Sequence, residues 1–274
     1  MSFLQSLILG VVQGGTEFIP ISSTAHLILV PWLLGWKFDP KVAFVFNVLL
    51  QLGTVAAVIA YFWKDLTEIA RATLAGLVAR RPFAAPKARL GWLIVLATVP
   101  AVVVGLAFKP FFESLHQNPI VVAGILTLGA ALIVVTEKIG RRSRGLDSIT
   151  WRDALIIGAS QSLALLPGVS RSAATICGGM LCHLERPTAA RFSFLMSVPV
   201  LIAAAVLAVK DLLEFPGFAD YLPPLAAGFA ASAAFGFASI HWLLSYLARH
   251  PMNLFAWYRL LFGAGCFLLY AYRT

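Results

Sequence analysis

The sequence predicts an all-α integral membrane protein, an inverted-topology repeat of six transmembrane helices plus two re-entrant helical hairpins. Three observations lead there. Of 274 residues, 60% are hydrophobic and 12% charged, where a soluble domain carries about 25% charged residues. Six apolar runs, near 42–63, 90–108, 119–137, 190–210, 222–246 and 252–271, have the length needed to cross a hydrocarbon core of about 30 Å. The two halves of the chain also resemble each other.

The N-terminal run "MSFLQSLILGVV" is shorter than a span and is interrupted by Gln13 and Gly14. Apolar runs of about 10 to 14 residues read as re-entrant, interfacial or signal segments. No basic n-region and no small-residue cleavage site mark a signal peptide. A hairpin with arms at 2–15 and 22–34, broken at Pro20, fits better, and the same shape recurs at 152–163 and 171–182 around Pro167 and Gly168.

Placing Gly10 over Gly158 without gaps sets Gln13 on Gln161, Ser22 on Ser170, Thr24 on Ser172 and Ile28 on Ile176. Downstream, "FNVLLQLGTVAAVIAYFWKDL" from Phe46 aligns ungapped with "FSFLMSVPVLIAAAVLAVKDL" from Phe192. The chain therefore reads as a single membrane domain, 1–274, made of a first repeat, 1–140, with hairpin 2–34, and a second, 150–274, with hairpin 152–182. Each repeat has one hairpin and three spans, and an odd number of crossings inverts the second copy. Inverted repeats whose broken helices meet near the midplane are a transporter-type architecture.

The net charge of +9 follows topology rather than a nucleic-acid surface. Loops 64–89 and 138–152 hold eleven of the 21 Lys and Arg, and Arg186, Arg191 and Arg249 fall on the same side. Lys37, Lys41, Lys109, Lys210 and Arg273 fall on the other. The positive-inside rule places the first set in the cytoplasm and both termini outside. Cys177, Cys182 and Cys266 sit in apolar stretches without metal or disulfide spacing and read as core residues.

Ionisable groups inside an apolar segment are functional candidates by default. Glu17 and His26 lie in the first hairpin and Arg171 in the second. The residues after Pro20 and after Pro167-Gly168 begin helices, whose first turns offer free N–H groups and a positive dipole end suited to phosphate. Ser22 and Ser170 are expected N-caps. Ser23 with His26, and Arg171 with Thr175, are expected to share helix faces. A seam of Ser and Thr holding membrane helices together is the plainer reading for Ser22, Thr24 and Ser172. Arg259, in "WYRLLFG", reads as structural or as a lipid-headgroup contact. His241 and the loop residues His116, His183 and His250 read as interfacial, and Glu137 and Lys138 as topological flanks.

"QGGTE", Gln13 to Glu17, resembles the Glu/Gln-x-x-x-Glu motif of bacterial undecaprenyl-diphosphate phosphatases, the bacitracin-resistance family; "PGVSRSAAT", Pro167 to Thr175, resembles their PGxSRSxxT motif, and "SSTAH" supplies the accompanying histidine. The resemblance spans almost the whole chain. It implies release of the terminal phosphate from a polyprenyl diphosphate lipid, aided by a divalent cation, Mg²⁺ or Ca²⁺, at a site facing the periplasm, in a protein expected to form a homodimer. It implies Glu17 as base or metal ligand with Gln13 beside it, and Ser23 or His26 as phosphoryl acceptor. It implies Arg171 as phosphate clamp, with Ser170, Ser172, Thr175, Ser22 and Gly168 around the phosphate. Gln13 departs from the glutamate of many members, which weakens a metal site. A transporter of the polyprenyl phosphate is the alternative that the inverted repeat allows.

Overall fold

The computed structural model describes residues 1–115, 118–213 and 222–273. His116 and the side chains of Lys41, Lys109 and Lys210 lie outside the described residues. Within them the chain is helical and forms no strand. The short helices are α1 (Phe3–Glu17), α2 (Ser23–Leu33), α4 (Trp63–Val78), α6 (Lys109–Leu115), α8 (Trp151–Leu163) and α9 (Arg171–Leu181). The long ones are α3 (Pro40–Tyr61), α5 (Pro86–Ala107), α7 (Pro119–Ile139), α10 (Arg186–Leu213), α11 (Leu222–Leu247) and α12 (Asn253–Arg273). These six are long and apolar enough to cross a membrane. Leu106, Leu128, Leu261 and Leu268 stand exposed on their outer faces, the surface of a multi-pass membrane protein rather than of a soluble one.

Both expected breaks are present, and they share one local geometry. Ser22 and Ser170 adopt left-handed φ values of 74° and 75°, and each Oγ accepts from the backbone N–H three residues on, Ala25 or Ala173, at 3.3 Å. That backbone region costs a non-glycine residue on the order of 1 kcal/mol, which the cap bond offsets by satisfying a free donor at the helix start. Gly168, at φ 110°, is doubly constrained: a Cβ there would lie 2.8 Å from the Leu126 nitrogen and the Val122 oxygen of α7.

Helix contacts exchange partners between the halves. Helix α1 packs on α11 and α8 on α5, while α3 pairs with α10 and α7 with α12. The aligned residues Gly10 and Gly158 make matching close approaches, since a Cβ on either would collide with a backbone carbonyl oxygen, that of Gly228 or of Ala97. Without a hydrophobic drive between helices in lipid, small residues of this kind let backbones touch.

Loop 64–89, read as a connection, folds its first half into α4. That helix is half polar, burying Ile69 against α5 and leaving Glu68 to pair with Lys87, so its hydropathy falls below that of a span. Glu137, read as a flank, is also buried. Its carboxylate accepts from Arg186 Nε at 2.8 Å, Arg186 Nη2 at 2.6 Å and the Met252 N–H at 2.7 Å, tying the end of α7 to the starts of α10 and α12. Before α8, Arg144 grips Asp153 at 2.6 Å. Burial alone would raise the Asp153 carboxyl, but bonds from Arg144 and Thr150 outweigh it and hold it below its ordinary range. The three cysteines are free and buried, as core residues.

Gly10→Val is expected to lower the thermal unfolding midpoint in detergent by several degrees, overpacking of this kind costing about 1–3 kcal/mol. Gly15→Ala, with no neighbour within 4 Å, should leave the midpoint unchanged or raise it. Equal midpoints for Gly10→Val and the parent chain would refute the close-approach account.

Candidate active site

The two breaks place the first turns of α2 and α9 around one cavity. About 180 Å³ in volume, it is lined by Glu17, Ser22, Ser23, Thr24, Gly168, Ser170 and Arg171, with Gln51 of α3 and apolar residues of α10. A second cavity, of about 510 Å³, shares Glu17, Ser23, Thr24 and Gln51 with it and runs between α2 and α3 past Leu27, Ile28, Ala43 and Phe44. The pair makes a small polar chamber joined to a larger, mostly apolar channel. The two positive helix ends both face the chamber.

Glu17 is the centre of the hydrogen bonding. Ser23 Oγ donates to its Oε2 at 2.5 Å and Gln13 Nε2 to the same oxygen at 3.1 Å, while Arg171 Nη2 reaches Oε1 at 3.3 Å. Gln13 also donates to Thr54 Oγ1 at 3.4 Å, linking α1 to α3. The 3.3 Å ion pair is long for a charge-assisted bond, which runs at about 2.7–2.9 Å. Nε and Nη1 of Arg171 are buried and meet no acceptor among the described residues. A desolvated guanidinium with two unanswered N–H groups and a loosely held carboxylate is prepared for another anion.

Other expected residues are placed elsewhere. His26 lies on α2 but lines neither cavity; its Nδ1 meets the Ser22 carbonyl and its Nε2 the Tyr258 hydroxyl, both at 2.7 Å, and its ring stacks on Phe262. A separation of three residues leaves side chains about 60° apart around a helix, enough to send Ser23 to Glu17 and His26 to α12. Thr175 turns its hydroxyl onto the Arg171 carbonyl at 2.8 Å and Ser193 of α10 at 2.6 Å. Ser172 bonds Ser170 and the Ile19 carbonyl, joining the two hairpins. The resemblance implied that Ser172 and Thr175 surround the phosphate; they stand behind the chamber wall instead.

Sequence reasoning missed the polar stripe of α3. Asn47, Gln51 and Thr54 recur at i, i+4 and i+7 in an apolar span, a helical-face signal, and they line the channel or support Gln13. Of the two readings of Arg259, structural or lipid-headgroup contact, the structure takes the first. That residue is wholly buried, which rules out contact with a lipid headgroup. Its guanidinium donates to the carbonyls of Gly168 at 2.6 Å, Val169 and Leu126 at 2.9 Å, and Pro20 at 3.5 Å.

The family model described as bacitracin resistance protein BacA matches residues 6–265. The chain belongs to the BacA family. Among curated relatives, the undecaprenyl-diphosphatase of Chloroherpeton thalassium is 44% identical, covering 96% of this chain and 95% of its own length. Those of Moorella thermoacetica and Myxococcus xanthus are 43% and 42% identical over 96% of this chain, and over 96% and 87% of their own lengths. In this BacA-family chain, then, the chamber is formed wholly by residues inside the matched region.

Arg259→Met is expected to leave the carbonyls at both breaks without their donor, each at about 1–3 kcal/mol, and to lower the unfolding midpoint in detergent markedly. Arg259→Lys, which retains a cation but not the fork, should fall between the two. A midpoint for Arg259→Met equal to the parent's would remove the clamp from the account.

Proposed function

We propose that this chain is an undecaprenyl-diphosphatase that hydrolyses the terminal phosphate from a polyprenyl diphosphate, and that Ser23 is the nucleophile. The observation that carries the reading is the chain of contacts from Ser23 through Glu17 to Arg171, with two N–H groups of Arg171 unanswered, in a polar chamber with an apolar exit. The diphosphate head enters the chamber and the prenyl chain lies along Leu27, Ile28, Ala43 and Phe44. The relatives, named for the phosphatase activity, lend no support to a transporter role.

The chemistry follows from these atoms. Arg171 turns its free donors to the terminal phosphate, whose charge it stabilises as the bond to the bridging oxygen loosens. Glu17, released from Arg171, takes the Ser23 proton while Ser23 Oγ bonds to phosphorus, and the polyprenyl monophosphate leaves with the bridging oxygen. Glu17 passes this proton to the departing monophosphate and, ionised again, takes a proton from the water that attacks the phosphoserine; the P–Oγ bond breaks, inorganic phosphate departs, and Glu17 returns the proton to Ser23 Oγ. His26, held between Ser22 and Tyr258, fixes the start of α2.

Among the described residues, Glu17 is the one carboxylate lining the two cavities. That set suits a divalent cation in the manner of Mg²⁺, held by one carboxylate plus substrate phosphate; Glu17 with Gln13 would hold Mg²⁺ or Ca²⁺ there, and the ion would neutralise phosphate charge. The duplicated domain, with re-entrant hairpins meeting from opposite faces, belongs to the same proposal; the shared Ser22 and Ser170 geometry and the exchanged contacts support it. The basic loops orient the chain in the cytoplasmic membrane with the termini and the site outward.

The test is phosphate release from a polyprenyl diphosphate by the purified chain in detergent. Ser23→Ala, Glu17→Gln and Arg171→Ala should each lower kcat by at least about a hundredfold, the scale of a lost general base or charge clamp. Thr175→Val should stay within a few-fold of the parent. Rapid quenching with labelled substrate should trap acid-stable phosphate on Ser23. Acid-labile label on His26, or full turnover by Ser23→Ala, would sink the serine mechanism.

A further inference from the structure

A third cavity, of about 380 Å³, lies between the end of α7 and the start of α12 and shares no lining residue with the chamber or its channel. Its polar end holds Glu137, Lys138, Arg142 and Asn253; its walls are Val134, Ala256, Trp257 and Leu260. The Glu137 carboxylate is already answered by Arg186 and the Met252 N–H. Arg142 Nη2 donates to the Glu137 carbonyl and lies 3.3 Å from the carboxylate, while its buried Nε has no acceptor among the described residues. Lys138 is exposed and makes no ion pair among the described residues. Two cations, Arg186 and Arg142, therefore share the single Glu137 carboxylate, while among the described residues Lys138 has no ion partner and one N–H of Arg142 is unanswered.

The wall opposite these charges is lipid-like. Trp257 is 64% exposed and Leu260 and Leu261 stand beside it on the outer face of α12, at the end of a helix suited to cross a membrane. An aromatic ring at such a depth sits at the headgroup level, and basic pockets between helices there attract anionic headgroups. A free phosphate would gain nothing from Trp257, Val134 or Leu260.

We propose that this cavity binds an anionic glycerophospholipid, its phosphate between Lys138 and Arg142 and one acyl chain along Val134, Trp257 and Leu260. The lipid closes the space between α7 and α12 and answers the free Arg142 Nε–H. Trp257 and Leu260 flank Tyr258 and Arg259, which hold the two breaks, so the bound lipid braces the same turns of α12 from their outer face. The inference stands apart from the catalytic proposal and needs none of its residues.

The test uses the full chain in neutral detergent with phosphatidylglycerol or phosphatidylcholine of identical acyl chains, bound lipid being counted by native mass spectrometry. One phosphatidylglycerol should bind at least tenfold more tightly than phosphatidylcholine. Lys138→Gln should weaken it about fivefold and Lys138→Gln with Arg142→Gln on the order of twentyfold, following the attraction of roughly one cation at a time near a lipid surface. Arg80→Gln with Arg81→Gln removes the same charge elsewhere and should change nothing. Equal retention by the parent and the Lys138 variants, or an equal loss from the Arg80 and Arg81 control, overturns the site. Competition by millimolar inorganic phosphate but not by chloride at equal ionic strength would reassign it to a free anion and overturns it too. Lys138→Gln breaks no ion pair, so it keeps the test valid even where the double variant unfolds.

Discussion

A buried cation, Arg259, with no carboxylate partner among the described residues, holds this molecule's centre together. Removing a guanidinium from water carries a penalty of several kcal/mol unless its donors are answered, and Arg259 is answered by four carbonyls. Three of them, those of Pro20, Gly168 and Val169, are available because the chain has left helical geometry at the two breaks. The fourth comes from Leu126 of α7, where the lack of a side chain at Gly129 leaves room for the guanidinium. The need is mutual: the breaks leave carbonyls that lipid could not satisfy, and Arg259 brings donors that only irregular backbone can meet. Because one side chain binds both breaks, α2 and α9 start from fixed positions relative to each other.

That fixed start lets the two breaks carry different side chains. Ser22 and Ser170 have the same backbone conformation and the same cap, yet the next residue is Ser23 at one break and Arg171 at the other. Likewise the place of Glu17 is taken in the second half by Leu165. The two breaks thus deliver a hydroxyl and a carboxylate from one side and a cation from the other. Two carboxylates facing each other would repel a diphosphate, and two arginines would bind it without supplying a base. The aligned glutamines show the cost of divergence: Gln13 is satisfied by Glu17 and Thr54, whereas the buried amide of Gln161 has no partner among the described residues.

The parts of this architecture that depend on chain-local chemistry were legible in the sequence. Span length, the interrupting Pro20 and Pro167-Gly168, the serine caps and the ionisable Glu17 and Arg171 all leave marks within a few residues, whereas His26, the third ionisable candidate, lines neither cavity. Helix α4 was not legible, because half-polar composition matches a loop as well as an interfacial helix. The turning away of His26 and Thr175 was hidden for another reason. Helical spacing limits a side chain to a sector, but Tyr258 and Ser193, on distant helices, decide where within it the polar atom goes. Arg259 was least legible, since its partners are backbone carbonyls, which every residue has and no side-chain pattern records.

The shapes of the two joined cavities set what the site can discriminate. The chamber of about 180 Å³ is lined mainly by hydroxyl, amide and charged groups and admits a phosphorylated head. The channel of about 510 Å³ adds the apolar Leu27, Ile28, Ala43 and Phe44 to the polar residues it shares with the chamber. Phe44 is nearly half exposed, so a prenyl chain passing it soon meets bilayer rather than protein. A binding surface distinguishes only what it touches, and a missing hydrogen-bond partner is rejected far more strongly than a missing methylene. On the proposed function, discrimination concentrates at the head, between diphosphate and monophosphate, where Arg171 and the two helix starts would weigh each charge, and it fades along the tail. A long lipid can then be held by its first few carbons and its charged end while the rest of the chain never leaves the membrane.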